Sequence, residues 1–326
     1  MDNQPIGTIY TATSWNTLKE SCERVVEIKE IDSKPTKWIF RGDKYRTHNY
    51  QDEVKYKEDK GGLCKMSLEK ACDTAGIPAG KRAEREKDII REFQRKLYLY
   101  TPHCPSRQDI IEWLALMQHH FAPTRLVDWT YSFHVAAYFA LAELDCREDE
   151  QKKREVAEIW AINSRWFCDK AEQEFDLREL DKIKCKITRK RSAEYMDDLA
   201  VQHNAIVHHL IENPKCLVYA INPFRLNQRL TIQQGVFMLA GDISRNFMDN
   251  LQSELYSEGL EKNIYRVRLP VNTGVKCEMM KKLCQMNLSN ATLFPGLDGF
   301  ARSMRERLVF SLDDILYQKI QPKPLL

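Results

Sequence analysis

The stretch from Gln118 to Leu141, QHHFAPTRLVDWTYSFHVAAYFAL, constrains this chain more than any other. Just before it, the apolar residues of Ile110 to Met117 recur at helical spacing, and Gln118-His119-His120 closes that segment. Ala122-Pro123-Thr124-Arg125 reads as a turn, because proline fixes its own φ and disfavours helix in the residue before it. Leu126-Val127-Asp128-Trp129 then reads as a short strand and Ser132 to Leu141 as an apolar helix. Rigid elements flanking a tight loop with two His, one Arg, one Asp and one Thr are a common way to build a site. The plainer alternative is that His119 and His120 end a helix and that Arg125 pairs with Asp128.

A chain of 326 residues, 43% hydrophobic and 30% charged, is long enough for a sizeable core and reads as soluble and globular. Its 50 basic and 47 acidic residues leave a net charge of +3, too balanced to demand a nucleic-acid partner. Ten Cys without CxxC spacing fit a reduced, cytoplasmic setting, with the thiols mostly buried as small hydrophobes. No apolar run approaches the roughly 20 residues of a membrane span, and MDNQPIGTIY lacks a basic, apolar leader.

Trp15 to Ile28 is expected as a helix capped near Thr13 or Ser14. Trp38-Ile39-Phe40 is a strand that delivers Arg41 and Gly42, an anion-binding end if Arg41 is free and a structural ion pair if it is not. Residues 47–60 read as a long polar loop. Lys81 to Tyr100 is amphipathic, with Ile89, Ile90, Phe93, Leu97 and Leu99 as the buried stripe and its charges as a solvated face. Ser164 to Asn213 is charged and mainly helical. His203, His208 and His209 within it lack the i, i+4 spacing of a metal-binding helix, so no metal is expected. Gln233 and Gln234 are placed at the start of a strand, their side chains on opposite faces. The strands 38–40, 126–129, 157–162, 217–221, 234–239 and 264–269, with helices including 81–100, 108–118 and 132–143, define an α+β fold. Its centre is a twisted, mostly antiparallel β-sheet flanked by helices, in a single domain over 1–326.

Several of these stretches resemble the FRG domain family. Phe40-Arg41-Gly42 is similar to its naming motif, and Gln118-His119-His120, Pro123-Thr124-Arg125-Leu126, Asp128-Trp129-Thr130 and Ala137-Tyr138-Phe139-Ala140 to its second signature. Gln233-Gln234-Gly235-Val236-Phe237 and Leu293 to Gly299 resemble later motifs, so the resemblance spans about 35–305. The Pro-Ser-Leu-like element is reduced here to Ser67-Leu68, and 164–213 has no counterpart.

Through that family the chain also resembles ADP-ribosyltransferases, with their split β-sheet, although no Glu stands at the third motif. The resemblance implies NAD as substrate and no metal. It implies Arg41, Gly42, His119, Arg125 and Thr130 as NAD-binding residues, and His120, Asp128 and Gln234 as catalytic ones. It further implies a nucleic-acid or protein acceptor, with nucleic acid preferred by analogy with defence toxins, an antitoxin partner and no membrane. The basic run Lys186 to Arg191 and the loop 44–60 are candidate backbone contacts. The rival reading is a non-enzymatic module that binds a nucleotide or a partner. An enzyme is expected to gather Arg41, His120, Asp128 and Gln234 in one pocket, whereas a module buries Arg41 against a carboxylate.

Overall fold

A computed structural model describes residues 6–47, 64–147, 154–188 and 198–308. Most of the loop expected at 47–60, and Arg189 to Arg191 of the basic run, lie outside the described residues.

Strand β1 (Thr8–Thr11) leads into helix α1 (Trp15–Val26), where Ser14 is the N-cap and its hydroxyl accepts from Thr17 N. A two-residue turn joins β2 (Glu30–Ile31) to β3 (Lys34–Pro35), with Asp32 and Ser33 both at positive φ, as a tight hairpin of this length requires. Strand β4 (Trp38–Thr47) is followed by α2 (Ser67–Thr74), α3 (Arg82–Lys96) and α4 (Ile110–His119). Then come β5 (Leu126–Thr130), α5 (Phe133–Ala142), β6 (Arg154–Asn163), α6 (Ser164–Glu172), α7 (Leu177–Thr188) and α8 (Asp198–Glu212). Strand β7 (Val218–Ile221), α9 (Gln228–Ile232), β8 (Gly235–Ala240), α10 (Phe247–Leu251), α11 (Leu260–Asn263) and β9 (Ile264–Leu269) follow. Helices α12 (Thr273–Gln285), α13 (Asn290–Leu293) and α14 (Leu297–Arg307) end the described chain.

The main sheet has seven strands in the order β1-β9-β6-β4-β5-β8-β7. Only β1 with β9 is parallel; the other neighbours run antiparallel. All six expected strands are present, and the α+β, mostly antiparallel expectation holds. Strand β1 was not expected, because four residues with two threonines carry too short a pattern to stand out. Strand β4 is longer than 38–40, since pairing with β6 continues from Trp38↔Asn163 to Thr47↔Arg154. Lys44 is therefore a strand residue, bonded to Glu155 at 3.1 Å, and not part of a solvated loop.

Alternation along the strands feeds two cores. Phe40, Ile159 and Val267 pack with Phe133 of α5 and Met279 of α12, while Ile39, Trp160 and Trp129 join Leu114, Ile206 and Phe167. Helix α3 tightens into a 3-10 turn at Leu97–Leu99, which rotates Leu99 off the apolar stripe to 62% exposure. Its charges are not all a solvated face either: Arg82 and Glu86 are buried. All ten cysteines are free, but only Cys64, Cys72 and Cys284 are buried, several of the others lying on helix faces turned half to solvent. Among the described residues no helix is long and apolar enough to cross a membrane.

Candidate functional site

The sheet is weakest at its middle. Strand β4 pairs with β6 over ten positions, but with β5 at one, Phe40↔Thr130. Past that point the Arg41 side chain replaces the missing ladder. Its Nη1 donates to the Asp128 carbonyl at 2.7 Å, and its Nε lies 3.5 Å from Asp43 Oδ2. Burial draws the Arg41 guanidinium down, but Asp43 and Asp128 outweigh it and hold the group above the ordinary arginine range. Arg41 and Gly42 thus lie inside a strand, not at its end. An alanine Cβ at Gly42 would stand 2.0 Å from Ala136 O, so this glycine lets α5 approach the sheet and not a ligand approach the backbone.

Strand β5 is buried at every position except Asp128. The Asp128 carboxylate is nevertheless held in place. Gln118 at the end of α4 donates from Nε2 to Asp128 Oδ2 at 2.9 Å, and its Oε1 accepts from Thr124 Oγ1 at 2.6 Å and Ser67 Oγ at 3.2 Å. The two hydroxyls and the carboxylate between them fix which way that amide is turned, because a carboxylate only accepts.

Helix α4 ends in the left-handed residue Phe121, which reverses the chain and leaves His119 half-buried beside Asp128. The His119 Nδ1 is buried without a hydrogen-bond partner among the described residues. Burial, then the neighbouring His120 and Arg229, lower its pKa, so the imidazole is neutral at pH 7. His120 is exposed, its ring centroid 4.8 Å from that of His119.

The opposite wall comes from far along the chain. The Arg229 guanidinium on α9 lies over the Phe294 ring at 4.8 Å and the Phe121 ring at 5.7 Å. Burial lowers its pKa, with Asp128 opposing, and it makes no ion pair among the described residues. Sequence reasoning missed Arg229; the one local signal was Asn227, which caps α9 by accepting from Leu230 N at 2.8 Å.

The remaining expected residues fall elsewhere. Arg125 is 1% exposed and forms a two-pronged ion pair with Glu86, not with Asp128, so it does not reach a ligand. Thr130 is buried, its hydroxyl donating to Gln233 O at 2.7 Å and accepting from Ser132 N at 3.0 Å. Gln233 and Gln234 precede β8 and do not begin it, because α9 ends there in a turn with Gln234 at φ 49°. Gln233 is buried, donating to Leu293 O at 2.9 Å, while the Gln234 side chain is exposed.

Gln118, His119, Asp128, Asn227, Arg229 and Gln233 enclose a cleft of about 20 Å³, room for one water. His120 and Gln234 are not among its walls. Among the described residues no three His, Cys, Asp or Glu are placed to hold a metal ion.

The sheet is thus opened between β4 and β5, bridged by the arginine of Phe40-Arg41-Gly42 and flanked by an oriented aspartate. The chain contains an FRG domain: the model of that family matches residues 36–150. Arg41, Gln118, His119 and Asp128 fall within the match, whereas Arg229, Gln233 and Phe294 lie beyond it. No curated protein and no solved structure matches the chain significantly.

Proposed function

We propose that this chain is an NAD-dependent ADP-ribosyltransferase whose reacting centre is the Asp128 cleft, and that it modifies nucleic acid in the manner of a cytoplasmic toxin. The observation that carries the reading is the Asp128 carboxylate: solvent-facing on an otherwise buried strand, yet oriented through Gln118 by two hydroxyls. Such support for one exposed carboxylate suits a group that acts on a substrate.

In this reading the C1′–nitrogen bond of NAD breaks and nicotinamide leaves with the electron pair. Asp128 stabilises the oxocarbenium-like ribosyl centre. The acceptor's lone pair forms the new bond, and its proton passes to His119 Nδ1, which is neutral and unpartnered. Arg229 supplies positive charge for the pyrophosphate, in place of the buried Arg125. Arg41 acts indirectly, by fixing the main chain of Asp128. The cleft must widen to admit a dinucleotide.

A base with a lowered pKa keeps its unprotonated form to lower pH. The acid limb of the rate profile is therefore expected below the ordinary histidine value of about 6.5. It should vanish in His119→Gln, with the adduct followed by mass spectrometry of nucleic-acid acceptors. An acid limb unchanged in that variant would remove His119 from the mechanism.

A second reading, a module that binds a nucleotide or partner without chemistry, draws on the small cleft and on the Arg41–Asp43 ion pair. It predicts binding of NAD or another nucleotide with no nicotinamide released.

A further inference from the structure

A much larger cavity, about 570 Å³, lies apart from the Asp128 cleft and within the size range of small-molecule sites. Its walls come from one face of α6 along its whole length, the start of α8, the end of β7, and Tyr131 just after β5. Val236 lines it while Phe237 lines the cleft, so successive residues of β8 turn to the two hollows.

Three features of its lining point to one kind of ligand. First, apolar and aromatic groups are left open there: Phe224 is 47% exposed and Leu199 56%, beside Tyr131. Second, Asn222 Nδ2 donates to Tyr131 Oη at 2.9 Å, while its Oδ1 is buried with no partner among the described residues. Turning the amide over exchanges the two ends and still leaves one unpaired. Third, the free charge is positive. Glu172 accepts from Tyr219 Oη at 2.6 Å and Asp169 lies 3.7 Å from Lys34 Nζ. Lys37 and Arg165 have no carboxylate partner among the described residues, and Lys37 Nζ stands over the Tyr131 ring at 5.2 Å. The N-terminal turn of α6 adds to this positive end.

We propose that this cavity is a binding site for a nucleoside monophosphate. A flat base lies against Tyr131 with its amide-like edge on Asn222, and the phosphate sits at the mouth between Lys37 and Arg165. An apolar ligand would leave the Asn222 amide unpaired, and a simple anion would leave the aromatic wall uncovered. The proposal does not depend on chemistry at Asp128.

The test is calorimetric titration of the full chain with AMP, GMP, CMP and UMP, the matching nucleosides, and inorganic phosphate. At least one monophosphate is expected to bind more tightly than its nucleoside and than phosphate alone. Arg165→Glu, on an exposed side chain, should weaken that monophosphate about 10-fold, one charge-assisted contact, and leave the nucleoside unchanged. Asn222→Ala should abolish both, and Asp128→Asn should affect neither. No heat from any monophosphate at about 1 mM would overturn the assignment. So would phosphate binding as tightly as the nucleotide, or binding unmoved by Arg165→Glu in protein whose melting curve is intact.

Discussion

Arg125→Leu is expected to cost about 3–5 kcal/mol of folding stability, enough to depopulate a domain of ordinary stability. Arg125 is 1% exposed, and so is Glu86. Arg125 Nε donates to Glu86 Oε1 at 2.7 Å, Nη2 donates to Glu86 Oε2, and Nη1 reaches Ala240 O at 3.4 Å. The side chain therefore ties α3 to the β5 and β8 region. Without it the Glu86 carboxylate is left buried and uncompensated, which is where most of the penalty arises. Replacing both partners with apolar residues, as in Arg125→Met with Glu86→Leu, removes the stranded charge and should recover most of the loss. Urea unfolding of Arg125→Leu, of Glu86→Leu and of the double variant reads this directly. A ligand-binding role for Arg125 demands the opposite pattern: a single variant as stable as the parent, and a double variant no better than the single.

The second large effect is at Gly42. A Cβ there would lie 2.0 Å from Ala136 O and 2.6 Å from Ala140 N, both backbone atoms of α5. A flexible side chain can swing aside, but a helix backbone moves only as a body. Gly42→Ala should therefore cost about 3 kcal/mol, the upper part of the overpacking range. In a chain of 326 residues the melting temperature should fall by about 4–5 °C. If the glycine instead admitted a ligand, the melting temperature would hold and only the KM for NAD would rise.

These two residues show where sequence reading stops. Phe40-Arg41-Gly42 and Arg125 were legible as a family signature, and their strands were legible from alternation. What each side chain touches was not. The partner of Arg125 lies 39 positions away on a helix whose charges read as solvated. The need for Gly42 arises from a helix some 90 residues further on. Asp128 was legible as polar and central, but its isolation on a buried strand depends on β4 separating from β5, which no local pattern records. Gln233 and Gln234 were misplaced by a turn because the α9 pattern is five residues long. Arg229, Phe294 and Asp128 meet only in the folded chain, so beyond the Asn227 cap nothing local marked the arginine opposite Asp128.

The central claim is that Asp128 performs glycosyl chemistry on NAD. The measurement that tests it most directly is nicotinamide release by the purified chain with mixed DNA, RNA and protein acceptors, beside Asp128→Asn. The amide keeps the size and the Gln118 contact but loses the charge. The account predicts acceptor-dependent release that falls about 100-fold or more in Asp128→Asn, with the melting curve unchanged. Release undiminished in that variant, or no release from the folded parent with any acceptor, would contradict it.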